Sequence, residues 1–162
     1  MLRLALIALA GLCLTSPATI AQSGPISAEE MIGISMATPT LPVGPQWVEM
    51  DVCGTGVAQG RVFLNSLEDY RDRASLNAFI PPWHRAVVGE RIGGDPAEVL
   101  LGYKVRVYGV VRQVRINLLD ENGAPTGEFY FQTQMAVMGP DDVRLVMEEG
   151  EPARAQCGPM VS

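Results

Sequence analysis

The valine-rich stretch LLGYKVRVYGVVRQVRINL, residues 100–118, constrains the fold more than any other part of the sequence. Polar and apolar residues alternate along it, as in a β-strand with one buried face. Midway the apolar residues change parity: the two sets are Val105, Val107 and Val111, then Val114, Ile116 and Leu118. Because a shift of one residue turns every side chain to the other face, we expect a bulge or bend between Gly109 and Gln113. Such bends are typical of small closed barrels.

Similar alternation predicts shorter strands on both sides of this stretch. These strands are residues 47–53, 61–65, 76–80, 129–137 and 142–147. The residues expected to point inward are Val48, Met50 and Val52 in the first strand, and Phe129, Phe131, Met135 and Val137 in the fourth.

Helical signals fall between the third short strand and the valine-rich stretch. Pro82 fits the first position of a helix that runs to Ile92 and stops at two glycines. A second short helix is predicted with Asp95 as its N-cap, Pro96 at its first position and Glu98 completing a capping-box pattern.

The first 21 residues have the pattern of a secretory signal peptide. Arg3 precedes an apolar run of about 11 residues, which is too short for a membrane span of roughly 20. Cleavage is expected after Ala21, which makes the protein periplasmic or secreted. Lipoprotein processing at Cys13 is disfavoured because Leu12 stands where a small residue is needed.

The mature chain divides into three predicted parts. Residues 22–46 are a Pro-rich flexible leader in which Ser27 and Glu30 can cap one short helical turn. Residues 47–147 are the β-domain, and residues 148–162 are an acidic C-terminal tail. No further membrane span is expected once the signal peptide is removed.

Two cysteines remain after cleavage, Cys53 and Cys157. An even number of cysteines in an exported chain predicts a disulfide. A metal centre is the alternative, but such a site needs three or four ligands and His84 is the sole histidine. We therefore expect the disulfide, and no metal or cofactor.

The charge balance disfavours nucleic acid as a general partner. The full chain has a net charge of −6, and removal of Arg3 with the signal peptide makes it −7. Such an acidic chain repels a polyphosphate at long range. A local basic patch is still compatible with this net charge.

The order of the predicted elements resembles that of a bacterial OB-fold protein. The segment FLNSLEDYRDRASLNAFIPP, followed by a helix and GYKVRVYGVVRQ, is similar to the core of small exported OB-fold domains over about residues 50–138. The resemblance implies an all-β fold with a helical insertion: a five-stranded OB-fold-like barrel with a helix between strands 3 and 4. It implies a fold and not a biochemical role.

Two groups of residues are candidates for a binding surface. OB-folds often take ligands on strands 2 and 3, and a cationic stripe with aromatic residues can stack bases or sugars. The alternative is a solvated, salt-bridged loop and an ordinary hydrated exterior. The candidate ligand-binding residues are Tyr70, Arg71 and Arg73 in the loop after residue 65, and Arg106, Tyr108 and Arg112 in the valine-rich strand.

These observations predict an exported, non-enzymatic OB-fold binding module for a partner protein or for a small or oligomeric ligand. Single-stranded nucleic-acid binding is an alternative that rests on the fold resemblance. A hydrolase is a third hypothesis and is disfavoured, because His84 and the acidic pairs offer no recognisable catalytic constellation.

Overall fold

The computed structural model describes residues 24–158, so the predicted signal peptide lies outside the described residues. The strands are β1 (Ile26–Ser27), β2 (Val43–Asp51), β3 (Gly54–Ala58), β4 (Arg61–Asn65), β5 (Leu76–Ile80), β6 (Lys104–Leu119), β7 (Pro125–Val137), β8 (Val143–Leu145), β9 (Met147–Glu148) and β10 (Glu151–Pro152). The helices are α1 (Ala28–Ala37), α2 (Pro82–Ile92) and α3 (Pro96–Val99), with a 3₁₀ turn at Pro140–Asp142.

Eight strands form one mixed sheet. Their order is β1-β2-β6-β7-β5-β4-β3, and β8 pairs with β6 beside this path. The pairs β1/β2 and β5/β7 are parallel, and the other pairs are antiparallel. Strands β9 and β10 form a separate two-stranded sheet.

The predicted five-stranded OB-fold-like barrel with one helix between strands 3 and 4 is wrong. Residues 24–158 form an eight-stranded sheet with three helices and no closed barrel. The reason lies at Val52 and Cys53, where the backbone leaves β6 and joins β4: Val52 N–H donates to Tyr103, and Cys53 N–H donates to Asn65. The chain therefore forms β2 and β3 there, near opposite ends of a curled sheet, and β1 adds a strand that the sequence pattern did not reveal. The strand expected at residues 142–147 is present as β8, which pairs with β6 beside the main path of the sheet.

The hydrophobic core lies on the inner face of the curled sheet. Val48, Met50 and Val52 are buried as predicted, and so are Val105, Val107 and Val111 of β6. Helix α1 adds Met31 and Ile32 to this core. It is ten residues long, whereas the sequence indicated one short turn, and its packing on β2 and β6 explains the added length.

The expected bulge in the valine-rich strand is wrong. The pairing of β6 with β7 keeps one register from Gly109 to Asn117, and the nearby irregularity lies in β2, between Val43 and Gln46. Pairing of β6 with β2 ends at Val111, so the β6–β7 hairpin projects beyond the core from that point. The change of parity therefore marks the edge of the core rather than an extra residue.

The same projection explains why two predicted inward residues are exposed. Met135 and Val137 are buried, but Phe129 and Phe131 are 47% and 40% exposed. Both phenylalanines lie opposite the part of β6 that follows Val111, where the core no longer covers the sheet.

The predicted helix caps and the disulfide are confirmed. The Ser27 hydroxyl accepts from the Glu30 N–H at 3.1 Å, and the Asp95 carboxylate accepts from the Ala97 N–H at 2.9 Å. Cys53 and Cys157 are bonded, with Cα atoms 5.4 Å apart. Within residues 24–158, no helix combines the length and apolar character needed to cross a membrane.

Candidate binding cleft

A cleft of about 380 Å³ lies on the outer face of four adjacent strands. Its volume falls within the range of small-ligand sites. Side chains of β4, β5 and β7 reach it from positions that alternate with core residues, as successive residues of a strand must. The lining residues are Thr55, Gly56, Val57, Ala58, Phe63, Asn65, Tyr70, Asn77, Tyr130, Gln132 and Gln134.

Three side-chain amides form a straight row across this face. Asn65 of β4 is in register with Asn77 of β5, and Asn77 is in register with Gln134 of β7. We call these three residues the amide row. Neighbouring strands lie about 4.8 Å apart, so the row presents hydrogen-bonding groups at that interval.

An aromatic pair lies beside the amide row. Phe63 and Phe79 are in register on β4 and β5, with ring centroids 5.8 Å apart. The Arg61 guanidinium lies over the Phe79 ring at 5.2 Å. The cleft face thus sets apolar rings next to amides.

The loop at residues 66–75 carries Tyr70 to the rim of the cleft. The backbone carbonyl of Tyr70 accepts from Asn77 Nδ2 and from Gln132 Nε2, each at 3.2 Å. Asp69 and Asp72 accept backbone N–H groups two residues onward, as in Asx turns. Local turns and these two hydrogen bonds from side-chain amides therefore fix the position of Tyr70.

Arg71 and Tyr130 surround Tyr70. The Arg71 guanidinium lies over the Tyr70 ring at 5.4 Å, and its Nε donates to the Tyr70 hydroxyl at 3.2 Å. That hydrogen bond is the main reason why the pKa of Arg71 is raised. Burial raises the pKa of Tyr130, with Arg71 partly opposing the shift. Tyr130 therefore presents a neutral hydroxyl, which accepts from Gln132 Nε2.

Asn65 has an unsatisfied amide in the lining of the cleft. Asn65 is 5% exposed, and its buried Oδ1 atom has no hydrogen-bond partner. Leaving such a group unpaired costs about 1–3 kcal/mol. Because native proteins pair nearly all buried polar groups, this amide suggests a position completed by a bound molecule.

The structure brings only some of the predicted site residues to the cleft. Tyr70 lines it, Arg71 covers the Tyr70 ring, and Arg73 is exposed in the same loop. Arg112 is in register with Gln134 and extends the amide row by one strand.

The other two predicted residues belong to a different surface. Arg106 Nε lies 2.9 Å from a carboxylate oxygen of Glu49, and the Tyr108 ring packs against Trp47 at 5.3 Å. Trp47 also lies 4.6 Å from the Arg144 guanidinium. These contacts hold Arg106 and Tyr108 away from the cleft lining.

Sequence reasoning missed the amide row. Asn65, Asn77 and Gln134 are polar residues that alternate with apolar ones in short strands, which was visible in the sequence. Their alignment depends on the parallel pairing of β5 with β7, which no local pattern specifies.

A second depression of about 560 Å³ is lined in part by the 66–75 loop. It is bounded by the start of α1, by Asp51 and Lys104 of neighbouring strands, and by Gln156. The Asp51 Oδ1 atom is buried and lacks a hydrogen-bond partner. In the described part of the chain, no group of three or more His, Cys, Asp or Glu side chains is arranged to hold a metal ion.

No protein-family model matches this chain, and no curated protein matches it in sequence. The cleft and the disulfide are the features of the molecule that bear on its function. The disulfide is typical of proteins in an oxidising compartment.

Proposed function

We propose that this protein is an exported, non-enzymatic binding module for a partner protein or for a small or oligomeric ligand, and that the ligand occupies the cleft. Asn65 carries the proposal, because its buried amide oxygen lacks a partner in the lining of a concave surface. The partly exposed ring of Tyr70 adds an apolar contact at the rim. Export is supported by the Cys53–Cys157 bond and by the signal-peptide pattern before residue 22.

Arg71 and Arg112 are proposed as rim contacts. Arg112 extends the amide row, whereas Arg106 is held by Glu49. Replacement of Arg112 by alanine should weaken binding in the cleft, and replacement of Arg106 should leave it unchanged. The reverse result would place the binding surface on the outer face of β2 and β6.

Photo-cross-linking tests the location of the site. A photoreactive amino acid is placed at Val57, which lines the cleft and is 51% exposed, or at Val87, which lies on α2 and is 49% exposed. The oxidised mature chain is irradiated with a cell-envelope extract, and the adducts are identified by mass spectrometry. Because the two positions are equally accessible, a site in the cleft should give adducts at Val57 only.

The Gln134→Ala variant provides the second arm of this experiment. Its adduct yield at position 57 should fall, because the variant removes one amide of the row. Equal yields at both positions, or no adduct at Val57, would overturn the proposed cleft.

A further inference from the structure

The lining of the cleft carries no formal charge. All eleven described residues that form it are neutral, whereas the charged residues Arg71, which covers the Tyr70 ring, and Arg112, which is in register with Gln134, are not part of the lining. Carboxylates and phosphates are usually held by charged donors. The lining therefore favours a neutral ligand over an anionic one.

The amide row is suited to hydroxyl groups. Each Asn or Gln side chain offers two N–H donors and one acceptor oxygen. A ligand hydroxyl can hydrogen-bond to either, because it is both a donor and an acceptor. Gln132 Nε2 donates to the Tyr70 carbonyl and to the Tyr130 hydroxyl, and Gln132 Oε1 accepts from Gln134 Nε2 at 2.8 Å. Asn65 differs because its Oδ1 atom accepts no hydrogen bond within the protein. An O–H or N–H group of the ligand would satisfy this atom.

The position of these amides disfavours an extended peptide as the ligand. A peptide that adds to a sheet uses the backbone N–H and C=O groups of an edge strand. Here the polar groups of Asn65, Asn77 and Gln134 are side chains on the face of three adjacent strands. Asn77 already donates to the Tyr70 and Ser75 carbonyls, so Asn65 and Gln134 are the members of the row that suit a molecule with polar groups on its perimeter.

The aromatic side chains supply the complementary surface. Phe63, Tyr70 and Tyr130 line the same cleft as the amide row. A pyranose ring has an apolar face of C–H groups and a rim of hydroxyls, which matches apolar rings set beside amides. Tyr130 also contributes a neutral hydroxyl to the lining.

We infer that the ligand of the cleft is a neutral saccharide. The sugar ring would pack against the aromatic side chains. One ligand hydroxyl would donate to Asn65 Oδ1, and other hydroxyls would form hydrogen bonds with the Gln134 side chain. This inference rests on the proposed function and specifies its ligand.

A glycan array tests the inference with the oxidised mature chain. The array carries neutral oligosaccharides, acidic oligosaccharides, peptides and single-stranded oligonucleotides. We expect retention of neutral oligosaccharides, and side-chain amide signals of Asn65 and Gln134 that shift when the retained glycan is titrated in an NMR experiment. Gln134→Ala should weaken binding about tenfold, as loss of about one hydrogen bond predicts. Gln46→Ala is the matched control, because Gln46 lies on β2 outside the lining.

Asn65→Leu separates a binding role from a structural one. Leucine is close to asparagine in shape and has no polar atom to leave unpaired, so the variant should unfold at a higher urea concentration than the wild type. It should also lose glycan binding by about tenfold or more. A purely structural residue would not give higher stability together with weaker binding.

The possible failures are distinguishable. If no neutral glycan binds while Val57 still gives peptide, protein or anionic adducts, the saccharide inference is wrong and the cleft remains a binding site. Glycan binding that is unchanged in both variants would also refute the inference. If Val57 gives no adduct and no glycan binds, the inference and the proposed function both fail.

Discussion

Removal of the Cys53–Cys157 disulfide should destabilise the protein mainly through its unfolded state. The C-terminal segment is held independently by backbone hydrogen bonds: Lys104 N–H donates to Ala153 at 2.9 Å, and Ala155 N–H donates to Gly102 at 3.0 Å. The fold should therefore stay intact in a variant in which both cysteines are replaced by alanine.

The magnitude follows from the length of chain that the bond closes. The two cysteines are 104 residues apart, for which the loop-entropy relation gives a loss of about 4.7 kcal/mol at 25 °C. This is a large part of the 5–15 kcal/mol that is typical of a native domain. The unfolded chain without the bond is also more expanded, so the dependence of stability on urea should become steeper.

Urea unfolding at 25 °C, followed by far-UV circular dichroism, measures both quantities. The oxidised wild type and the double alanine variant are compared, and NMR spectra of the folded variant report whether residues 151–157 stay docked. A loss below about 1 kcal/mol with an unchanged urea dependence would refute the entropic argument. Detachment of residues 151–157 would refute the claim that the folded state is unaffected.

Two further predictions concern packing and pH. Gly109→Ala should destabilise the fold by about 3 kcal/mol in the same urea assay, because the added Cβ would lie 2.1 Å from a carbonyl oxygen of β7. Gly56→Ala, with no neighbouring atom within 4 Å of its added Cβ, is the control, and equal losses would contradict the packing argument. The pKa of Asp95 is lowered, first by the backbone N–H that caps α3 and then by Arg85, so its ionised form stabilises the folded state. This contribution is present above the unfolded carboxyl pKa and is lost as the pH falls through the lower folded pKa. Asp95→Asn should therefore lower the free energy of unfolding by about 0.5 kcal/mol at pH 7. The difference in this free energy from the wild type should disappear in acid. A difference that persists at pH 2 would refute the linkage between Asp95 ionisation and stability.

Local chemistry accounts for the parts of the structure that the sequence predicted well. Pro82 and Asp95 mark the helix starts because a missing N–H is tolerated at the first position and a carboxylate satisfies a free N–H at the cap. The alternation of Val105 and Val107 predicted a buried face because the period of a strand is fixed by its backbone. The pairing of Cys53 with Cys157 followed from there being two cysteines in the expected mature chain.

Strand partnership was the part that local patterns did not specify. The break at Val52 and Cys53 separates β2 from β3, and their neighbours in the sheet are chosen by contacts distant in sequence. For the same reason the parity change after Val111 was interpreted as a bulge, although the core ends there. The cleft was only partly predicted: Tyr70 was named from its loop, whereas Asn65 and Gln134 come together through β5.

The depression beside α1 brings together residues from both ends of the described chain. Pro25 and Gln156 both line it, and none of the residues that line the binding cleft does. The described part of the chain therefore begins and ends in one region of the fold. A short linker joining these two ends would allow circular permutation, with new termini in the exposed turn at residues 121–123 and the cleft residues left in place.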